Sequence, residues 1–351
     1  MNVLITSASR KVALVRAFQH ALAAHGGGRV VAVDTSPLSP ALYLADDHEL
    51  VPRSDAPEFI DAMLALCRRR EVRLLVPTRD EELPVFAAAR ERFAEAGTLV
   101  AVASPETVRT CQDKRAFAAF CTANGFSAPR SYEPDEALAG STWPLFVKPR
   151  FGKGGAHTER VDNPADLRRA LDRVPELLVQ AHVSAPELTV DLFADFGGEV
   201  LSAVVRERTR VVAGESYVSR TLDAPHVAAV AARVAHALGL VAHNTLQCFS
   251  LDGDAVLILA HVEHLNDIRK YQAWRYQQLY NHTTMRRTRC GDTRGGARTH
   301  THARAAAKAG AMRAPRRCRR SPVPRSRHPR RLLLPPGHDR LVKLAVRPGH
   351  L

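Results

Sequence analysis

Acidic residues all but vanish after Asp267. From Ile268 to Leu351 the chain carries 22 Lys/Arg against 2 Asp/Glu, a net of +20, whereas Met1 to Asp267 carries 28 against 34, a net of −6. The formal charge of +14 therefore belongs to a tail, and the rest of the chain is mildly acidic. Cysteine is sparse: the 6 cysteines form no Cys-x-x-Cys pair and show no zinc-like spacing, which fits a reduced intracellular compartment. Long apolar runs are missing too. The most apolar long segment, His226 to His243, is interrupted by Arg233 and has helical periodicity, which argues for a buried helix rather than a membrane span. The N-terminus opens directly on Val3-Leu4-Ile5 without the charged and apolar segments of a signal peptide. The expectation is a soluble, cytoplasmic protein with no membrane partner.

What is present in the first part is alternation. Val3 to Thr6, Arg29 to Asp34, Arg73 to Pro77 and Thr98 to Ala103 read as strands, separated by helices over Lys11 to Ala24, Asp61 to Arg70 and Glu82 to Ala96. Such alternation makes a parallel sheet with helices on both faces. Ser7-Ala8-Ser9-Arg10 follows the first strand but lacks the glycines of a dinucleotide loop, so Asp34 reads as a strand-end cap. Ser104-Pro105-Glu106 starts a helix with an N-cap and Pro at N1, and the helix from Lys114 to Asn124 stops at Gly125. From Ser131 the pattern suggests two small α+β lobes, with strands at Leu145 to Lys148, Leu177 to Gln180, Thr189 to Phe193, Val200 to Arg206, Thr245 to Ser250 and Ala255 to Leu259, and helices at Pro164 to Arg173 and Ala224 to Leu238.

The chemistry concentrates between Trp143 and Gly155, where an apolar strand delivers Lys148 beside a basic, glycine-rich loop. A strand fixes the ammonium as a point charge, while Gly152, Gly154 and Gly155 let backbone N–H groups approach an anion. The spacing is not that of a P-loop. A solvated hairpin has the same local look, so partners elsewhere must decide. Three are present in order: Asp113-Lys114 at a helix start, Pro144 to Pro149 as Pro-(apolar)3-Lys-Pro, and the strand Leu177 to Val183 followed by Glu187-Leu188-Thr189-Val190-Asp191. On these motifs the sequence resembles the ATP-grasp carboxylate-amine ligases, in particular stand-alone relatives of the carbamoyl-phosphate synthase large chain, from Met1 to about Ile258.

The resemblance implies an α/β pre-ATP-grasp doubly wound parallel sheet over residues 1–110, contributing to a substrate cleft. A two-lobed α+β ATP-grasp domain would follow over 111–267, incomplete at its C-terminal end, and then a basic low-complexity tail over 268–351. It also implies ATP and Mg2+ as cofactors and small-molecule carboxylate and amine substrates. Lys114 and Lys148 would contact phosphates, with Gly152, Gly154 and Gly155 beside them and Lys153 and Arg150 covering them, a flexible surface loop being the equal alternative for these last two. Gln180 would lie near the adenine amino group, and the backbones of Ala181 and Val183 would meet the purine edge. Glu187 would accept from the ribose hydroxyls. Arg206 and Arg208 alternate with Arg210 on one strand face; the resemblance points the first two toward the transferred phosphate, and a solvated sheet edge is the equal alternative. Glu215, in Gly214-Glu215-Ser216, matches a loop bordering the active site. His226, His236 and His243 have no metal-like spacing.

The departure lies at the metal. Gln247 occupies the position of the family's first magnesium ligand, but Leu259 and His261 stand where the resemblance expects Glu and Asn, and Glu263 and Asn266 are several residues away. Beyond Asn266 the pattern ends. Arg286 to Arg347 is dominated by Arg, Pro, His, Thr and Ala with no regular apolar period, so disorder is the expectation, from a genuine basic arm or a shifted reading frame. Three readings result: an ATP-grasp ligase, an ATP-binding pseudoenzyme, and nonspecific nucleic-acid binding through the tail.

Overall fold

Apolar strands alternating with amphipathic helices assemble first into a parallel sheet. The computed structural model describes residues 1–152, 155–212, 215–251 and 256–262, with the side chains of 211–217 and 260–262 outside that description. All described residues belong to one unit, Met1–Gly296. The expected disorder of the basic tail lies outside them.

The sheet is built by β1 (Asn2–Ile5), α1 (Val12–Ala24), β2 (Val30–Asp34), β3 (Asp47–Leu50), α2 (Phe59–Arg69), β4 (Val72–Val76), α3 (Leu83–Glu95) and β5 (Leu99–Val100). Its strand order is β3-β2-β1-β4-β5, every pair parallel. Central strands must be apolar on both sides because helices cover both faces. Accordingly Val3, Ile5, Ala32 and Val76 pack with α1 residues Leu14, Val15 and Phe18, while Leu4, Val33 and Leu75 pack with Phe59 and Met63 of α2 and Phe86 and Phe93 of α3.

A linker of α4 (Pro105–Gln112) and α5 (Lys114–Ala123) follows. Ser104 caps α4 by accepting from the Thr107 amide (3.0 Å), and Asp113 caps α5, whose chain turns away at Gly125 with φ of +70°. The next lobe contains β6 (Ser131–Tyr132), α6 (Pro134–Gly140), β7 (Leu145–Pro149), β8 (Glu159–Val161), α7 (Pro164–Arg173) and β9 (Leu177–Ala181), with antiparallel order β6-β9-β7-β8. The last lobe contains β10 (Glu187–Ala194), β11 (Val200–Val212), β12 (Glu215–Leu222), α8 (Pro225–Leu238), β13 (Ala242–Ser250) and β14 (Val256–Val262), with antiparallel order β12-β11-β10-β13-β14. Each lobe buries one sheet face under helices: Leu145, Val147 and Val179 under Ala137, Leu167 and Ala170, and Leu188, Val190, Leu192 and Leu246 under Val227, Ala231 and Val234. The opposite faces carry the polar residues. Among the described residues no helix is long and apolar enough to cross a membrane.

Candidate functional site

On β7 the pleat sends Leu145 and Val147 into the lobe core, which leaves Phe146 and Lys148 on the other face. Lys148 is only 5% exposed and donates from Nζ to the Leu259 carbonyl of β14 (3.2 Å), so its ammonium bridges the two lobes. Burial pulls its pKa down to about 8; the nearby Lys114 charge adds to the fall and Glu187 opposes it. The antiparallel register with β9 sets Leu178 opposite Lys148 and Gln180 opposite Phe146, so Gln180 shares the lysine's face. Gln180 is 2% exposed; its Nε2 donates to Ser131 Oγ (3.2 Å) and the Pro129 carbonyl (3.4 Å), while its Oε1 is buried without a hydrogen-bond partner. Such an orphaned acceptor costs about 1–3 kcal/mol. A ligand N–H donor would satisfy it. The Ala181 amide is already engaged with the Arg130 carbonyl (2.8 Å), whereas Val183 follows the strand end in irregular backbone.

Lys114 approaches from the linker. Its Nζ donates to the carbonyls of Gly152 (2.7 Å) and Arg150 (3.5 Å), and burial holds its pKa below the usual lysine value against the opposing pull of Asp113. Gly152 and Gly155 are exposed with φ of +96° and +68°, the left-handed region that glycine supplies without strain. Lys153 and Gly154 lie outside the described residues. Arg150 commits its guanidinium to Asp113 and Glu176.

Across from β7, the open face of the last lobe carries ion pairs whose members are distant in sequence. Glu187, at the start of β10, pairs with Arg208 of β11, which is 7% exposed in its side chain. Asp191 receives Arg206 through both oxygens (2.5 and 3.0 Å) and accepts from Thr245 Oγ1 (3.3 Å), and Arg206 also donates to Ser219 Oγ (2.9 Å). The sequence reading placed Glu187 at the ribose and Arg208 at the phosphate; the fold joins them. Asp191 shares the face of Glu187 by alternation along β10 but was given no role, and Thr245 and Ser131 were missed because only strand register sets them opposite Asp191 and Gln180. Arg210 is exposed at a register shift. Glu215 pairs with Val212 through β12, its side chain lying outside the description.

Gln247 is paired with Thr189 of β10 and Ala260 of β14. A register shift falls between Gln247 and Cys248, so Leu259 sits in the irregularity and His261 pairs with Leu246. Ile258 pairs with the buried Cys248, so Leu259 falls on the open face with Gln247 but supplies no oxygen ligand, whereas His261 is set opposite the buried Leu246. Among the described residues no group of three His, Cys, Asp or Glu is gathered to hold a metal. The residues described do not fit a protein-built magnesium site, and Glu263 and Asn266 lie outside them.

A second polar cluster occupies the parallel sheet where the order reverses between β1 and β4. Glu82, 3% exposed, accepts from Thr6 Oγ1 (2.7 Å) and Ser7 Oγ (2.6 Å), while Asp34 accepts from the Ser9 amide (2.7 Å) and the Ser36 amide (3.1 Å). Asp34 thus caps the loop, as the sequence suggested. Ser7 and Ser9 both adopt positive φ, +43° and +45°.

Comparison with known proteins agrees with this layout. Residues 3–101 match the model of a PylC-like, N-terminal domain, and residues 111–258 match that of an ATP-grasp domain. The chain carries an ATP-grasp domain. It is similar to a formate-dependent phosphoribosylglycinamide formyltransferase from Synechococcus sp. (strain CC9605), 31% identical over 188 residues that cover 52% of this chain and 45% of the relative. It is also similar to a carbamoyl phosphate synthase large chain from Deinococcus radiodurans, 28% identical over 193 residues that cover 49% of this chain and 19% of the relative. The chain thus spans less than half the length of these curated relatives. Among solved structures, the biotin carboxylase domain of the Hydrogenobacter thermophilus 2-oxoglutarate carboxylase superposes with a TM-score of 0.65 at 12% identity, covering 80% of this chain and 69% of that one. An L-amino acid ligase from Bacillus licheniformis gives 0.58 at 19%, covering 76% and 67%. These likenesses establish the ATP-grasp fold.

Proposed function

We propose that this chain binds ATP between its two antiparallel lobes and belongs to an ATP-dependent carboxylate-amine ligase. The observation that carries the reading is one face of β7 and β9, which presents a buried ammonium, Lys148, beside a buried acceptor without a donor, Gln180 Oε1. Polyphosphate would compensate Lys148 and Lys114, and the adenine amino group would satisfy Gln180. A carboxylate oxygen would attack the γ-phosphorus, forming an O–P bond as ADP leaves. An amine nitrogen would then attack the acyl carbon, releasing phosphate and a proton.

Calorimetric titration with ATP and ADP tests the binding. Lys148→Ala should weaken ATP about tenfold to a hundredfold, since a charge-assisted contact contributes about 1.5–3 kcal/mol. Equal affinities would sink the assignment. A second reading, nucleotide binding without turnover, is favoured by the pairing of Gln247 with Ala260. ADP release on adding ATP, magnesium and a panel of amino acids separates the two: release that disappears in Lys148→Ala supports the ligase.

A further inference from the structure

Asp113 is the single residue between α4 and α5, and its carboxylate accepts four hydrogen bonds. Oδ1 takes the amides of Arg115 (3.0 Å) and Ala116 (3.2 Å), which caps α5, and also takes Arg150 Nε (3.0 Å); Oδ2 takes Arg150 Nη2 (2.6 Å). The fork of Arg150 therefore reaches from the glycine loop to the linker, 37 residues away in sequence. Arg150 is itself fixed elsewhere: its amide donates to the Glu176 carbonyl (2.9 Å), its Nη1 to Glu176 Oε1 (3.1 Å), and its guanidinium lies over the Phe151 ring (4.9 Å). In return, the Arg150 carbonyl accepts the Lys114 amide (3.1 Å), and Lys114 Nζ rests on the Gly152 carbonyl (2.7 Å). Lys148 lies two residues before Arg150 on β7, and its ammonium feels the charge of Lys114. Two ammonium groups facing one space repel and would drift apart on flexible stems. A bidentate Arg–carboxylate pair is the geometry that resists such drift.

We propose that Asp113 and Arg150 are positioning residues, a clamp between linker and glycine loop that holds Lys114 and Lys148 together as one polyphosphate-binding pair. This rests on the ATP-binding reading above for its ligand, but the clamp itself is a property of the free protein. It also inverts a simple electrostatic expectation. Removing the Asp113 charge next to a phosphate site should strengthen ATP binding if Asp113 is a bystander; the clamp demands that binding weaken.

The test uses the full chain with Asp113→Asn, which keeps an amide oxygen to cap α5, and Arg150→Lys, which keeps the positive charge but not the fork. Calorimetry with ATP and with adenosine should show each variant losing about tenfold in ATP affinity, equivalent to one lost contact of about 1.4 kcal/mol, with adenosine affinity unchanged. Tighter or equal ATP binding by Asp113→Asn would overturn the clamp, as would full affinity in Arg150→Lys. Hydrogen exchange on the nucleotide-free chain supplies a ligand-independent arm. In both variants the amides of Lys114 and Arg150 should exchange faster while those of Arg115 and Ala116 stay protected in Asp113→Asn. Unchanged exchange at Lys114 would refute the clamp even if the chain binds no nucleotide, whereas faster exchange without ATP binding would refute only the ATP reading.

Discussion

A buried lysine is costly when charged, and Lys148 shows the cost in its pKa of about 8 against the ordinary 10.5. Between those values the unfolded chain holds the proton more tightly than the native one, so native stability rises as pH climbs through that window. Polyphosphate reverses the balance by restoring the charged form. ATP binding at about pH 8 should therefore take up a proton, and affinity should fall as pH rises through 8. Calorimetry in buffers of different ionisation enthalpy reads the uptake directly, and its persistence in Lys148→Met would refute the assignment to this residue. Glu82 behaves oppositely to an ordinary surface carboxylate: burial raises its pKa, even though Ser7 and Thr6 donate to it. Its contribution to stability is then complete below the unfolded value and lost as pH rises through the folded one. Glu82→Gln should flatten the stability-against-pH curve just above the ordinary carboxylate range, as measured by urea denaturation at a series of pH values. Lys148 is legible in sequence because the glycine loop follows it directly, whereas Lys114 rests on the resemblance, and the partners of both ammonium groups, Leu259 for Lys148 and Gly152 and Arg150 for Lys114, are distant in the chain. The orphaned Gln180 oxygen is not legible there, since it depends on Ser131 and Pro129, about fifty residues upstream.

At the scale of elements, the apolar strands were legible, the edge strands β5 and β14 among them, and the short or polar edge strands β3, β6, β8 and β12 were not. β1, β2 and β4 are runs of apolar residues, and their limits fall within one or two residues of the sequence expectation. β3 alternates half-buried and exposed residues along Asp-His-Glu-Leu, while β6 has two residues and β8 three, too short for a period to emerge. β12 carries Ser, Tyr, Arg and Thr and looks like loop until β11 supplies its register. The same limit hid the ion pairs of the open face, because Asp191 and Arg206 become neighbours only through the β10–β11 ladder. That pair is largely withdrawn from water, with side-chain exposures of 21% and 17%. Asp191→Asn should cost about 2 kcal/mol, the contribution of a hydrogen bond to a charged group. Chemical denaturation checks it. Because Arg206 would be left without its carboxylate, the double variant Asp191→Asn/Arg206→Met should recover part of the loss.

For the whole molecule, the parallel sheet and the last antiparallel lobe are separate in sequence but share a core. Phe193 at the end of β10 and Ala242 at the start of β13 lie in the same buried cluster as Val3, Ile5 and Phe18 of the first sheet. Thr107 Oγ1 of α4 adds a buried donation to the Leu238 carbonyl at the end of α8 (2.7 Å). The sequence divides this molecule at the linker, because composition and periodicity report elements and not the contacts between them. The shared core predicts cooperation across that division. Phe193 is fully buried, so Phe193→Ala should remove about 3–5 kcal/mol through lost transfer and a residual cavity. If the two parts were independent, this loss would fall on the lobe that owns β10 and leave the parallel sheet melting as before. A shared core instead lowers the stability of both, so hydrogen exchange from the global opening should accelerate equally in the β1 and β10 amides. Acceleration confined to β10, with β1 protection kept, would show that the buried cluster spanning Phe193 and Phe18 does not couple the two sheets.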